Sequence, residues 1–178
     1  MTRKTLYLLV VVVVLAFPSS AGAVAIVNPD GSRAEPYSTW ADTSKVPTRE
    51  GVVTVDFDMT RCGGLADTAL ACYRPWERGL SFKNRCEIKN VDDLRLCRFT
   101  TRHELGHDFA ETMPAWKMKV FARVVGISVD NTQISEVFAD AYALCADGRA
   151  TFDTPGVSVF TTTRRQHRRI CKLVRQPN

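Results

Sequence analysis

Apolar and polar positions follow two different rhythms in the two halves of this chain. Val52 to Phe57 (VVTVDF), after Gly51, is β-branched and roughly alternating, which predicts a strand. Thr68 to Tyr73 (TALACY) predicts a second, between the turn-like Cys62-Gly63-Gly64 and Pro75; Leu80 to Phe82 and Cys86 to Val91 are candidates for further short ones. The spacing then becomes helical. Leu94, Leu96, Cys97, Leu105 and Phe109 mark a helix over 94–111, limited by Pro114. Ala115 to Val125 reads as a helix ending at Gly126, and Thr132 to Asp147 as one capped by Asn131 or Thr132 and stopped by Gly148. A last helix runs from about Thr163 to Arg175, before Pro177. Strands first and helices later predict an α+β domain with an N-terminal antiparallel sheet and a C-terminal helical part.

The most apolar stretch belongs to neither half. Leu6 to Phe17 (LYLLVVVVVLAF) follows Arg3 and Lys4 and is broken by Pro18-Ser19-Ser20. It is too short for a hydrocarbon core, which takes about 20 helical residues. With the small-x-small triplet Ala21-Gly22-Ala23, residues 1–23 read as a secretory signal peptide cut after Ala23, and the protein as secreted. No cysteine follows that point directly, which argues against a lipid anchor, and no later segment is apolar enough to span. Residues 24–50, rich in Pro, Ser, Asp and Thr, read as an extended lead-in, and 51–178 as a single domain. Taking 23 residues from 178 leaves 155, enough to bury a real core.

Six cysteines, Cys62, Cys72, Cys86, Cys97, Cys145 and Cys171, all lie beyond the predicted cleavage point. An even count in an exported chain reads as disulfides, and the absence of any C-x-x-C pair weighs against a cysteine zinc site. Nearest-neighbour pairing, 62–72, 86–97 and 145–171, is preferred because each bond closes a short loop or joins adjacent elements. The formal net charge is +5, of which the leader supplies two. The rest of the excess collects at the end of the chain, in Arg164, Arg165, Arg168, Arg169, Lys172 and Arg175. These fall largely on one helix face, which suits either plain solvation or attraction to an anionic surface such as a wall polymer, lipid headgroups or nucleic acid. No nucleic-acid motif accompanies them.

The candidate chemistry sits inside the first long helix, at His103-Glu104-Leu105-Gly106-His107. Histidines at i and i+4 project from one face on adjacent turns and can reach one ion, with Glu104 beside them as a proton acceptor. Two of the chain's three histidines are in this pair. A catalytic zinc takes a third protein ligand and keeps an open position. A metzincin would need glycine and then histidine or aspartate where Ala110 and Met113 stand. Downstream, Glu136 and Asp140 lie one turn apart on a helix whose other face is apolar. One can bind the metal while the other accepts the free N–H of a ligand histidine.

At this point the chain resembles the gluzincins, the thermolysin-like superfamily, which combine H-E-x-x-H with a later E-x-x-x-D helix. The resemblance covers about residues 96 to 146. It implies a small zincin-like domain holding one Zn2+, with His103, His107 and Glu136 as ligands, Glu104 as general base and Asp140 behind a ligand histidine. It also implies a peptidase, most simply a metalloendopeptidase, that attacks peptide bonds with a zinc-activated water. The gap from His107 to Glu136 is longer than in thermolysin. No residue matches that family's oxyanion-stabilising histidine, for which Tyr142 and His167 are the candidates. Thr68 to Tyr73 is the candidate edge strand for an extended substrate. Asp108 and Glu111 read as surface groups. The alternative is a secreted envelope- or polyanion-binding protein with a structural or degenerate metal site, which has no use for Glu104 as a proton acceptor.

Overall fold

The computed structural model describes residues 24–154 and 157–176, so the expected signal peptide lies outside the described residues. Within them the protein is an α+β domain with a four-stranded sheet, five α-helices and three disulfides. No helix among the described residues is long and apolar enough to cross a membrane.

The sheet is mixed, not antiparallel. Strand β1 (Val24–Val27) pairs in parallel with β2 (Gly51–Asp56), and β2 in parallel with β4 (Gly79–Phe82). Only β3 (Ala71–Arg74), joined to β4 by a tight turn, runs antiparallel to its neighbour. Alternation sets which face of a strand is buried but carries no information on strand direction. Direction follows from the connections, and a parallel pair needs a crossover of a dozen or more residues. The segment expected as an extended lead-in supplies it. It holds β1 itself and helix α1 (Tyr37–Asp42), whose Ser38 Oγ donates to the Ile26 carbonyl at 2.6 Å. Tyr37 and Trp40 of α1 are buried against Phe82 and the inward valines of β2, Val53 and Val55. The sheet order β1-β2-β4-β3 leaves β3 on an edge.

Cys86 to Val91 forms no strand. It is the approach to helix α2 (Val91–Ala110), and it ends at Asn90, whose side chain accepts the N–H groups of Asp92 and Asp93 at 2.8 Å each. Helices α3 (Ala115–Val125) and α4 (Ile134–Asp147) both end at left-handed glycines, Gly126 and Gly148, where the sequence expects them to. The start of α4 is later than expected: Asn131 instead accepts the Gln133 N–H in a turn, and Gln133 holds the cap position without a side-chain bond. Helix α5 (Arg164–Arg175) opens with a reciprocal Thr163–Gln166 capping box.

Two buried arginines tie these layers together. Arg74 of β3 reaches across β4 to both carboxylate oxygens of Asp56 on β2 and also bonds Ser81. Gly79 leaves room for its guanidinium to pass. Arg102 of α2 donates to the Trp40 carbonyl in α1 and pairs with Asp147 at the end of α4. The disulfides form as expected. Cys62–Cys72 fastens a short 3-10 turn (Met59–Leu65) to β3, Cys86–Cys97 holds the post-β4 loop to α2, and Cys145–Cys171 clips α5 onto α4.

Candidate metal centre

Helices α2 and α4 pack directly against each other, with Phe109 of α2 and Tyr142 of α4 (ring centroids 5.4 Å apart) sealing the contact on the core side. On the other side the contact opens into a cleft of about 560 Å³. His103, Glu104 and His107 of α2 line it together with Glu136 and Asp140 of α4. The tertiary fold thus brings together five residues that are up to 37 positions apart in sequence.

Three of them converge on one point. His103 Nε2 lies 3.2 Å from His107 Nε2 and 3.2 Å from Glu136 Oε2, and His107 Nε2 is 3.5 Å from Glu136 Oε1. A tetrahedral zinc with bonds of about 2.0–2.1 Å separates its ligand atoms by roughly 1.6 bond lengths, about 3.3 to 3.4 Å. The two separations of 3.2 Å from His103 Nε2 are close to edges of such a tetrahedron, and the second Glu136 oxygen lies 3.5 Å from His107. Asp140 stands behind this set. Its Oδ1 accepts the Nδ1–H of His103 at 2.8 Å, which directs the lone pair of Nε2 at the shared point. Its Oδ2 accepts the backbone N–H of Phe160 at 2.8 Å. Between the two carboxylates that the sequence leaves open, Glu136 faces the shared point and Asp140 supports His103.

The electrostatics favour a cation at this place. Burial opposes charge on His103, but hydrogen bonds to Asp140 and Glu136 and the nearby carboxylates outweigh it, raising its pKa to about 10. Glu136 is held well below the usual carboxylate range by its hydrogen bonds to His103 and His107. Glu104 is buried, and burial pushes its carboxyl up against the opposing pull of both histidines. It also accepts the backbone N–H of Tyr73, so edge strand β3 orients it. The remaining lining is mostly apolar. Leu96 and Phe99 extend the α2 floor, Ala71 to Tyr73 of β3 form one wall, and Val157 to Val159 contribute another, with Glu111 at the end of α2. Among the described residues, no lysine or arginine lines the cleft.

Tyr142 and His167, the expected candidates for stabilising an oxyanion, are both elsewhere. Tyr142 is fully buried and donates to the Pro47 carbonyl at 2.8 Å. It sits six residues from Glu136, on the core face of α4. His167 lies on α5 beside the Cys145–Cys171 bond, with Nε2 3.5 Å from Cys171 Sγ. Cys145, His167 and Cys171 are close enough to share an ion, but a disulfide occupies both sulfurs. His167 therefore belongs to neither site.

Asp108 is the residue the sequence reading placed wrongly. It is 1% exposed, and it accepts two bonds from Arg78 (2.8 Å each), one from the Tyr73 hydroxyl (3.0 Å) and one from Arg49 (3.3 Å). The signal for this was its spacing: i+4 from Glu104 puts both on the same inward face of α2. Glu111, one turn beyond His107, is exposed as expected. No family model, curated protein or solved structure matches this chain.

Proposed function

We propose that this protein is an exported zinc-dependent metallopeptidase of gluzincin type, with a zincin-like domain, that hydrolyses peptide bonds within its cleft. The observation that carries the reading is the convergence of His103 Nε2, His107 Nε2 and the Glu136 carboxylate at separations of 3.2 to 3.5 Å, with Asp140 fixing the tautomer of His103. Two nitrogens and one carboxylate oxygen are the donor types of a catalytic zinc site with a position left open. Zinc held there supplies Lewis acidity, polarising a carbonyl and bringing the ionisation of water close to neutral pH.

The chain's own residues account for the rest. Glu104, buried beside the ligands and held by the Tyr73 N–H, accepts the proton of the attacking water and passes it to the leaving amine. Burial raises its pKa, which favours uptake of that proton. Apart from the Tyr73 N–H, which Glu104 takes, the outer side of β3 supports binding of an extended peptide by strand addition. The apolar lining around Leu96, Phe99 and Val159 favours a bulky apolar side chain next to the scissile bond. The leader pattern and the three disulfides support export.

The test is peptide-library cleavage by the oxidised, zinc-loaded chain lacking residues 1–23, beside Glu104→Gln, with zinc stoichiometry measured on both. Cleavage by the native protein alone, with one zinc bound to each, is the expected result. One tightly bound zinc with no cleavage by either would favour the binding protein instead.

A further inference from the structure

The second chemical feature of the molecule is a cationic surface that no part of the cleft uses. Arg164, Arg165, Arg168, Arg169, Lys172 and Arg175 are all exposed on α5, while Ile170, Cys171, Leu173 and Val174 are buried. At about 100° per residue the six cations fall within an arc of about 140°. Helix α3 lies antiparallel beside them. Gln166 Nε2 donates to the Val124 carbonyl at 3.0 Å near one end, and Lys117 Nζ to the Gln176 carbonyl at 2.6 Å near the other. Exposed Lys119 and Arg123 of α3, one turn apart, add to the charge. Neither helix contains a single aspartate or glutamate.

Among the described residues, none of these eight cations has an ion-pair partner; only Arg175 makes a side-chain hydrogen bond, to the Lys45 carbonyl at 3.1 Å. Like charges at i and i+4 work against a helix, and an ordinary solvated face relieves this by mixing signs. The paired arginines of this protein, Arg33, Arg74, Arg78 and Arg102, show that it uses carboxylate partners readily elsewhere. Leaving one two-helix face wholly without them fits an external anion that supplies the missing charge.

We propose that the α3–α5 face docks a linear, phosphate-bearing polymer, which lies along α5. Each apolar position of α5 is buried in the core, so the helix has no side chain with which to enter a bilayer. It carries no aromatic residue to stack on nucleic-acid bases, and the one exposed aromatic of the two helices is Trp116, at the start of α3. A flexible polyphosphate chain needs neither. Its recognition is ionic, and its binding falls with salt as bound counterions are released. This proposal is independent of the catalytic reading.

Long-chain inorganic polyphosphate is the probe, titrated by fluorescence anisotropy against the oxidised chain lacking residues 1–23 over a range of salt concentrations. Single-stranded DNA of equal charge and vesicles containing anionic phospholipid are run beside it. One variant carries Arg164→Gln, Arg165→Gln, Arg168→Gln and Arg169→Gln. A control removes the same charge from exposed positions elsewhere, with Arg33→Gln, Lys83→Gln, Arg85→Gln and Lys89→Gln. The expected result is polyphosphate binding that weakens at least tenfold in the α5 variant and little in the control. The slope of log affinity against log salt should fall by about three, at roughly 0.7 for each lost contact to a flexible strand. Equal losses in both variants, no binding at low salt, or tighter binding to DNA or vesicles would each overturn the proposal. Circular dichroism and thermal unfolding of both variants check that the fold is kept.

Discussion

A Cβ added to Gly106 would stand 2.9 Å from the Cα of Ala139, closer than real side chains come to a backbone. This contact sets the distance between α2 and α4, and the site is arranged around it. His103 and His107 lie three residues before and one after Gly106; Glu136 and Asp140 lie three before and one after Ala139. Bringing these two small residues together is what lets short side chains meet across the helices. Gly106→Ala should therefore cost about 1–3 kcal/mol of stability, the usual penalty for overpacking. It should also weaken zinc binding at least tenfold, because the histidines and carboxylates move apart. Guanidinium unfolding and a competition titration with a chromophoric chelator read the two effects. Unchanged values would mean that the helix contact does not govern the site.

Asp140 joins a ligand to the cleft wall through its two oxygens. Asp140→Asn keeps an acceptor for the His103 Nδ1–H but loses the one for the Phe160 N–H. Zinc affinity should fall about 10- to 100-fold, the usual effect of losing a group that orients a ligand, and further in Asp140→Ala. Amide hydrogen exchange should show Phe160 deprotected in both variants. Retained protection there would separate the wall from the metal site.

Asp108 balances Arg78 and Arg49 and holds the Tyr73 hydroxyl, all beside the strand that orients Glu104. Asp108→Asn leaves guanidinium charge facing a neutral buried group. A loss of about 3 kcal/mol is expected, as for breaking a buried ion pair from one side. Urea unfolding measures it. A change within error would place the network at the surface energetically, whatever its geometry.

The acid limb of stability should depend on Asp56. Burial works against its charge, but hydrogen bonds from Ser81 and the Asp58 N–H, with the charge of Arg74, outweigh this and lower its pKa from 3.8. A carboxylate depressed by folding contributes stability that is present above its unfolded pKa and lost as pH falls through the folded value. The contribution is thus complete at neutral pH and disappears below about pH 4. Denaturant midpoints taken from pH 7 down to pH 2 should fall steeply in the native protein and less steeply in Asp56→Asn, which starts lower. Parallel curves would assign the acid sensitivity to other groups.

The local chemistry of the chain was legible from spacing. The i, i+4 histidines, the left-handed glycine stops of α3 and α4, the β-branched strand and the Cys62–Cys72 and Cys86–Cys97 pairs are all short-range features, set by residues close to one another in the chain. Asp108 was not, since its polarity suggests solvent and only its register with Glu104 hints at burial. Tyr142 was misleading for the opposite reason: its hydroxyl looks reactive in sequence, whereas in the fold it is capped by the Pro47 carbonyl.

The sequence by itself determined the long helices, strand β2, the candidate residues for chemistry and the cysteine pairing, because dihedral preferences and periodicity act over a few residues. Only the tertiary structure decided the direction of the strands, the role of 24–50 as a crossover, and the different placements of Glu136 and Asp140 around the histidine pair. Each of these depends on how elements far apart in the chain approach one another. Such an approach is set by packing between them, through contacts as specific as that of Gly106 with Ala139, and no local pattern records it.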